Sequence, residues 1–385
     1  MLPYRPSRIL IQEQSSRDPL TDEILRRLPG VPTTRVLELG EPLPEIEGGT
    51  DSHGHGKRTL ILARHRGRFM KECPGSGADI CCNYYVVNFA CNCHLECTYC
   101  ILQVYLNNPA MVVFTNVEDL MTEVAEKLSG APDAFFRIGT GEMADSLALD
   151  DITCYSRILV PFFGQLPNGI LELKTKSDRV GNLEGLEHRG RTVVSWSVNP
   201  AAVIKSDELK TATLQERLSA ARRCQEWGYR LGFHFDPLIH YEGWEQDYEN
   251  TVREVFAAIE PRSVAWISLG ALRFTPHLRD LLKERFPKSK IPYGEFVPGH
   301  HGKLRYFRPI REEMYSKMLG LIRQQAPGVF VYLCMESRLV WEHCFAHAPR
   351  GTSELSDRMD ALVCDSCRGG WSAEIADARG WTPLT

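Results

Sequence analysis

Three cysteines, Cys93, Cys97 and Cys100, stand in a C-x3-C-x2-C spacing directly behind a short apolar run, Tyr84–Ala90. Thiolates set this close on one loop are ligands for a soft metal centre, and a loop that follows a strand must be held at the strand's carboxyl end. Seven of the thirteen cysteines (Cys73, Cys81, Cys82, Cys91, Cys93, Cys97, Cys100) fall between positions 73 and 100. The opening residues, Met1-Leu2-Pro3-Tyr4-Arg5-Pro6, lead into no apolar export core. The clustering therefore argues for metal ligation rather than disulfides. No run of about 18 apolar residues occurs, so a cytoplasmic chain with no membrane partner is expected.

The apolar runs Tyr84–Ala90, Ala134–Gly139, Ile170–Lys176, Thr192–Asn199, Arg230–Ile239 and Val264–Phe274 read as strands. Between the fourth and fifth, Leu214, Leu218, Ala221 and Cys224 recur on one helical face, which makes Cys224 a core residue; between the fifth and sixth, Tyr248, Val252, Val255 and Ile259 do the same. Alternating strands and helices give parallel strands with right-handed crossovers, and six such units curl into a partial barrel. A chain of 385 residues with 43% hydrophobic content exceeds one such unit. The expected class is α/β: a partial (β/α)6 barrel over 69–286, an N-terminal α/β extension over 1–68, and a C-terminal segment over 287–385. The extension holds strand-like runs Arg8–Gln12 and Arg58–Ala63, a helix Thr21–Arg27, and a flexible loop Glu45–Lys57.

Three thiolates bind three irons of a 4Fe–4S cubane and leave the fourth without a protein ligand. S-adenosylmethionine chelates such an iron through its amino and carboxylate groups, and one electron then cleaves a carbon–sulfur bond to give a 5′-deoxyadenosyl radical. The competing reading is a structural zinc on Cys91, Cys93, Cys97 and Cys100. At the second strand end, Gly139-Thr140-Gly141-Glu142 resembles the glycine-glycine-glutamate motif of radical S-adenosylmethionine enzymes, with Glu142 meeting the ligand's ammonium. Lys176, Ser197 and Asn199, at the third and fourth strand ends, suit a carboxylate and a ribose. Tyr99 resembles the aromatic that packs on adenine in such enzymes. On the fifth strand, His234 and Asp236 share one face, and Pro237 ends the ladder. Asp236 and Tyr99 are the expected catalytic residues, with a charge pair between Asp236 and Arg273 or Lys176 as the alternative for the former.

The string Cys93–Gln103 preceded by Phe89-Ala90, then Ser197-Val198-Asn199, Gly228-Tyr229-Arg230-Leu231-Gly232-Phe233, Tyr241-Glu242-Gly243-Trp244-Glu245, Arg273-Phe274-Thr275 and Gly302-Lys303 resembles the spore photoproduct lyase family of radical S-adenosylmethionine proteins. The resemblance covers roughly Pro6 to Ser337. It implies the partial barrel, S-adenosylmethionine at its mouth, and a C-terminal hairpin that engages damaged DNA. Two departures stand out. The cysteine that returns a hydrogen atom in that lyase aligns with Thr140, and the tyrosine after the third cluster cysteine is Ile101. An O–H bond is far stronger than a thiol S–H bond, so Thr140 cannot take that part. Cys81-Cys82, Gly139-Thr140-Gly141-Glu142 with Ala144-Asp145-Ser146-Leu147-Ala148-Leu149-Asp150, and Tyr332-Leu333-Cys334-Met335-Glu336 mark a lyase-like branch.

The C-terminal stretch Phe296–Arg308 interleaves aromatics with cations, the composition of a hairpin whose Lys303, Arg305 and Arg308 meet phosphates while Tyr306 reaches bases. The formal charge is −4, so any such contact is local. Cys364 and Cys367 form a CxxC that reads either as free thiols in a surface tail or, completed by His343, Cys344 and His347, as a zinc site. Cys81-Cys82 read as strand-entry thiols. The leading expectation is a radical enzyme acting on a nucleic acid or nucleotide, reduced by a flavodoxin or ferredoxin. The others are a radical enzyme for a small metabolite or peptide, and a zinc-stabilised DNA-binding module.

Overall fold

A computed structural model describes residues 3–37, 51–75, 77, 79–299 and 302–364. Its main sheet runs, in spatial order, Met70–Glu72, Tyr85–Val87, Phe136–Gly139, Gly169–Thr175, Thr192–Ser197, Arg230–Leu238, Val264–Ala271 and Val331–Leu333. All neighbours are parallel except Met70–Glu72, which lies antiparallel to Tyr85–Val87. The six expected strands are present in the expected order. The sheet curls into a half-barrel whose seventh parallel strand, Val331–Leu333, went unread because three residues carry too little periodicity to register. Its place is fixed only by pairing, Ile267 with Val331 and Leu269 with Leu333.

The strands form where long apolar or β-branched runs occur because both faces of a parallel sheet are covered, as every residue of Thr192–Ser197 and Val264–Ala271 is. Helix Leu214–Glu226 starts at a capping box: the Thr213 hydroxyl accepts from the Glu216 N–H at 3.2 Å, and the Glu216 carboxylate accepts from the Thr213 N–H at 2.7 Å. Such a cap is worth about 1 kcal/mol. Leu214, Leu218, Ala221 and Cys224 are buried, as are Tyr248, Val252, Val255 and Ile259.

A second sheet, in the order Thr33–Val36, Arg8–Gln12, Thr59–Ala63, Met111–Phe114 and Ala90–Cys91, gathers the N-terminal strands. Helix Pro19–Arg27 is present as expected. The described part of the Glu45–Lys57 stretch includes a short helix, Ser52–Gly56, capped by the Asp51 carboxylate on the Gly54 N–H. Met111–Phe114 bonds in parallel to Thr59–Ala63 and antiparallel to Ala90–Cys91. The second sheet thus seizes the chain two residues before Cys93. Leu60, Met111, Phe89, Leu171 and Phe233 belong to one continuous apolar core.

Candidate active site

The loop bearing Cys93, Cys97 and Cys100 is pinned on every side. Asn92 adopts the left-handed conformation (φ 69°) that asparagine tolerates; its Nδ2 donates to the Pro109 carbonyl at 2.7 Å, and its Oδ1 accepts from the Cys93 N–H at 2.8 Å. Gln103 Nε2 donates to the carbonyls of Thr98 at 2.7 Å and Cys100 at 3.2 Å. Glu96–Cys97 pairs antiparallel with Glu208–Leu209, and the Thr98 hydroxyl donates to Asp207 at 2.8 Å. All three cysteines are free thiols in a half-buried setting. Burial pushes Cys97 up to about 12, with the Cys100 charge adding to the rise, and burial likewise raises Cys93, with Cys97 contributing. Metal binding at Cys93 and Cys97 must therefore displace their protons.

That donor set fits a cubane, because its three thiolates sit on three different irons and need not converge on one point. Among the described residues no three or more His, Cys, Asp or Glu side chains are grouped around a single-ion position. The zinc expectation at Cys364/Cys367 finds no support, and Cys367 lies outside the described residues.

Glu208 is the hub that sequence reading missed. Its side chain is fully buried, and its Oε1 accepts from Lys176 Nζ at 3.0 Å, from Asn199 Nδ2 at 2.9 Å and from the Tyr99 hydroxyl. Its Oε2 accepts from Arg217 Nη2 at 2.6 Å, and Arg217 is itself fully buried. Burial alone would raise the Glu208 pKa, but Lys176 and Arg217 outweigh it and hold the carboxyl well below its ordinary range. Lys176 donates to the Tyr99 hydroxyl at 2.6 Å and lies 4.7 Å from its ring centre. The structure thus joins Tyr99, Lys176 and Asn199 through a carboxylate. An ammonium has three N–H groups, so Lys176 retains one for a ligand. Asn199 Oδ1 is filled by the Tyr248 hydroxyl at 2.7 Å. The Ser197 carbonyl accepts from Arg217 at 2.9 Å, while its hydroxyl makes no hydrogen bond among the described residues.

Gly139 is required by packing, since a Cβ there would lie 1.8 Å from the Tyr84 hydroxyl; at Gly141 it would lie 2.9 Å from Lys174 Cβ. Glu142 is half-buried, raised by desolvation with Lys71 opposing, and makes no ion pair among the described residues. A second buried hub lies on the third strand: Glu172 Oε1 accepts from Ser195 at 2.6 Å and Trp266 Nε1 at 3.2 Å, and contacts His234 Nε2 at 2.8 Å. Asp236 stands 3.6 Å from Arg273. Burial opposes its ionisation, yet Arg273, Lys174 and His234 together lower its pKa. Lys174, half-buried and bonded through its backbone to Ser146, has no ion pair for its ammonium among the described residues, and its charge helps to lower Asp236. The signal for Glu172 and Lys174 was present in the sequence as charged residues alternating with Leu171 and Leu173.

Cys81 and Cys82 precede the first strand as expected, an adjacent pair of thiols. The neighbouring Cys82 lowers Cys81 to about 6 against the opposing effect of burial, whereas burial pushes Cys73 and Cys334 up to about 12. Cys81 is accordingly a thiolate above about pH 6, and iodoacetamide labelling of Cys81 is expected to hold its rate from pH 8 to about 6 and fall below. Cys73 and Cys334 should label slowly throughout. A Cys81 midpoint near the ordinary thiol value of about 8.5 would contradict the pair.

The C-terminal hairpin is formed by Phe296–Pro298 and Leu304–Tyr306, antiparallel, with Arg273–Phe274 alongside. Lys303 is half-buried and Arg308 is exposed, 3.5 Å from Glu312. Arg305 is spent on Glu336 at 2.6 Å, and Tyr306 is buried, stacked on Phe296, its hydroxyl accepting from the His240 N–H. Val297 and Phe307 are the exposed apolar residues of the turn region. Ile101 is exposed, and the Thr140 hydroxyl donates to Ser146 at 2.8 Å. No described helix is long and apolar enough to cross a membrane.

The family model described as spore photoproduct lyase matches residues 44–327. The chain is 26% identical over 348 residues to the spore photoproduct lyase of Geobacillus sp. (strain Y412MC61), covering 86% of this chain and 99% of that protein. It is 29% identical over 322 residues to that of Bacillus subtilis (strain 168), covering 81% and 92%. Among solved structures, spore photoproduct lyase complexed with dinucleoside spore photoproduct superposes with a TM-score of 0.78 at 24% identity, covering 86% of this chain and all of that one. A mutant of that lyase with bound AdoMet and dinucleoside spore photoproduct matches equally well.

Proposed function

Because the chain belongs to the spore photoproduct lyase family, we propose that this radical S-adenosylmethionine enzyme acts on nucleic acid, cleaving a thymine lesion of the spore photoproduct type in DNA. The observation that carries the reading is the cluster loop, held between the N-terminal sheet and Glu208–Leu209 and followed across the strand ends by Glu142, Lys174 and Lys176. When bound, the 4Fe–4S cluster and S-adenosylmethionine supply a 5′-deoxyadenosyl radical. Cys93, Cys97 and Cys100 hold three irons. Glu142 takes the cofactor's ammonium beside Gly139 and Gly141, Lys176 offers its remaining N–H to the carboxylate, and the Ser197 hydroxyl and the second N–H of Asn199 face the ribose. Tyr99 packs by the cofactor, its hydroxyl fixed by Glu208 and Lys176. Asp236 and Arg273 orient the substrate at the mouth. Lys303 and Arg308 meet DNA phosphates, with Phe307 and Val297 against bases; Arg305 and Tyr306 keep the hairpin in shape. A one-electron donor of the flavodoxin or ferredoxin kind reduces the cluster.

A second reading, a small-molecule or peptide substrate, is favoured by Thr140 and Ile101, which leave the family's hydrogen-return residues absent from their usual places. The two are separated by reconstituting the protein anaerobically with reductant and S-adenosylmethionine and offering damaged duplex DNA and dinucleoside spore photoproduct. Restored thymine, with duplex affinity falling as salt rises, is the expected result. Undetectable DNA binding at low salt together with no restored thymine would leave the second reading.

A further inference from the structure

Residues 79–84 cross the open side of the half-barrel before entering its first strand. Ile80 bridges to Glu336, its N–H donating to that carbonyl at 2.9 Å, and the Cys73 N–H donates to the Tyr84 carbonyl at 2.8 Å. This crossing brings Cys73, Cys81 and Cys82 to a fourth thiol, Cys334, which follows the seventh strand and is fixed by its N–H on the Leu269 carbonyl at 2.8 Å. All four are free. The turn is folded onto the Cys81 sulfur, which lies 3.0 Å from where a Cβ on Gly75 would stand. Cys334 Sγ lies 3.6 Å from Arg273 Nη2, and Arg273 in turn stands 3.6 Å from the Asp236 carboxylate. Neither the cluster nor the fold's hydrogen-bonding accounts for so many thiols at one mouth.

Hydrogen abstraction leaves a carbon radical, and where the product regains a hydrogen a thiol can supply it because its S–H bond is weaker than the C–H bond it makes. Only a protonated thiol has that hydrogen to give. Cys334 stands at a strand end with its sulfur on Arg273, which pairs with Asp236, and burial keeps its thiol protonated; the Cys81 sulfur lies instead against Gly75, with its pKa lowered. We propose that Cys334 is the hydrogen-atom donor to the substrate-derived radical in this chain, taking the part that Thr140 cannot. The Cys334 S–H bond breaks homolytically, a C–H bond forms on the substrate, and the unpaired electron stays on sulfur. One electron from the low-potential donor that also reduces the cluster, and one proton from water, restore the thiol.

The inference rests on the radical reading of the site but not on which lesion is repaired. The test uses reduced, cluster-loaded protein with S-adenosylmethionine in deuterated water and dinucleoside spore photoproduct as the probe. Wild-type product is expected to carry one solvent deuterium. In Cys334→Ala, and in the near-isosteric Cys334→Ser, 5′-deoxyadenosine still forms while deuterated product falls by about tenfold or more; Cys81→Ala retains the deuterium. Deuterium and yield unchanged in both Cys334 variants would overturn the assignment. If wild-type leaves the probe untouched, the lesion reading fails, and the donor is read from cleavage without substrate. Solvent deuterium in wild-type 5′-deoxyadenosine should then be lost in both Cys334 variants, and its persistence would overturn the proposal.

Discussion

Glu208→Ala is expected to destabilise the protein by about 3–5 kcal/mol, because it leaves two buried cations, Arg217 and Lys176, without their counter-charge. The same substitution removes the acceptor of the Tyr99 hydroxyl and of Asn199 Nδ2, so Tyr99 of the cluster loop keeps only the Lys176 bond and loses its link to Asn199. Equilibrium denaturation measures the first effect, and iron retention after reconstitution measures the second. Glu208→Gln keeps much of the shape but removes the charge, and should fall between wild type and Glu208→Ala. The pH dependence follows from the sign of the shift. The folded carboxyl sits below its ordinary value, so its contribution is complete above the unfolded carboxylate range and is lost as pH falls through the folded value. The acid limb of stability should therefore flatten in Glu208→Gln. A loss below about 1 kcal/mol in Glu208→Ala, within the range of an exposed ion pair, would show that the hub is not buried as described.

Cys97→Ala is expected to reduce 5′-deoxyadenosine formation to background and to strip the protein of its brown colour, since one of three iron ligands is gone. The fold should survive. Cys97 takes part in the antiparallel pair with Glu208 through its backbone, and alanine preserves that bonding. Circular dichroism confirms the fold, and iron and sulfide content with product chromatography reads the loss. Wild-type 5′-deoxyadenosine from Cys97→Ala would remove the cluster assignment.

How far the sequence could be read differs sharply between the barrel and the site. The six strands and the buried faces of the two intervening helices follow from residues near one another in the chain, such as Leu214, Leu218, Ala221 and Cys224, whose spacing is itself the signal. The seventh strand is three residues long and exists because Val264–Ala271 offers it an edge. Lys176 and Asn199 were picked as polar residues at strand ends, and so they are, but their partner Glu208 lies in a two-residue strand that only pairing with Glu96–Cys97 creates. The hairpin was legible as turn residues between aromatics and cations. That Arg305 turns to Glu336 and Tyr306 to Phe296 is decided by a segment about thirty residues away and by packing.

The sequence by itself determined that three cysteines stand together on one loop: in eight positions behind a strand they are brought together by local chain geometry alone, and no distant residue is needed to say so. It also determined that Thr140 and Ile101 stand where hydrogen-return residues were expected. What only the tertiary structure decided is which thiols gather at the open edge of the half-barrel. Cys73, Cys81, Cys82 and Cys334 span more than 250 positions, and they meet because the open edge of a half-barrel is crossed by the chain that enters it. Long-range meeting of this kind leaves no periodicity, since it is set by strand pairing and core packing rather than by spacing along the chain.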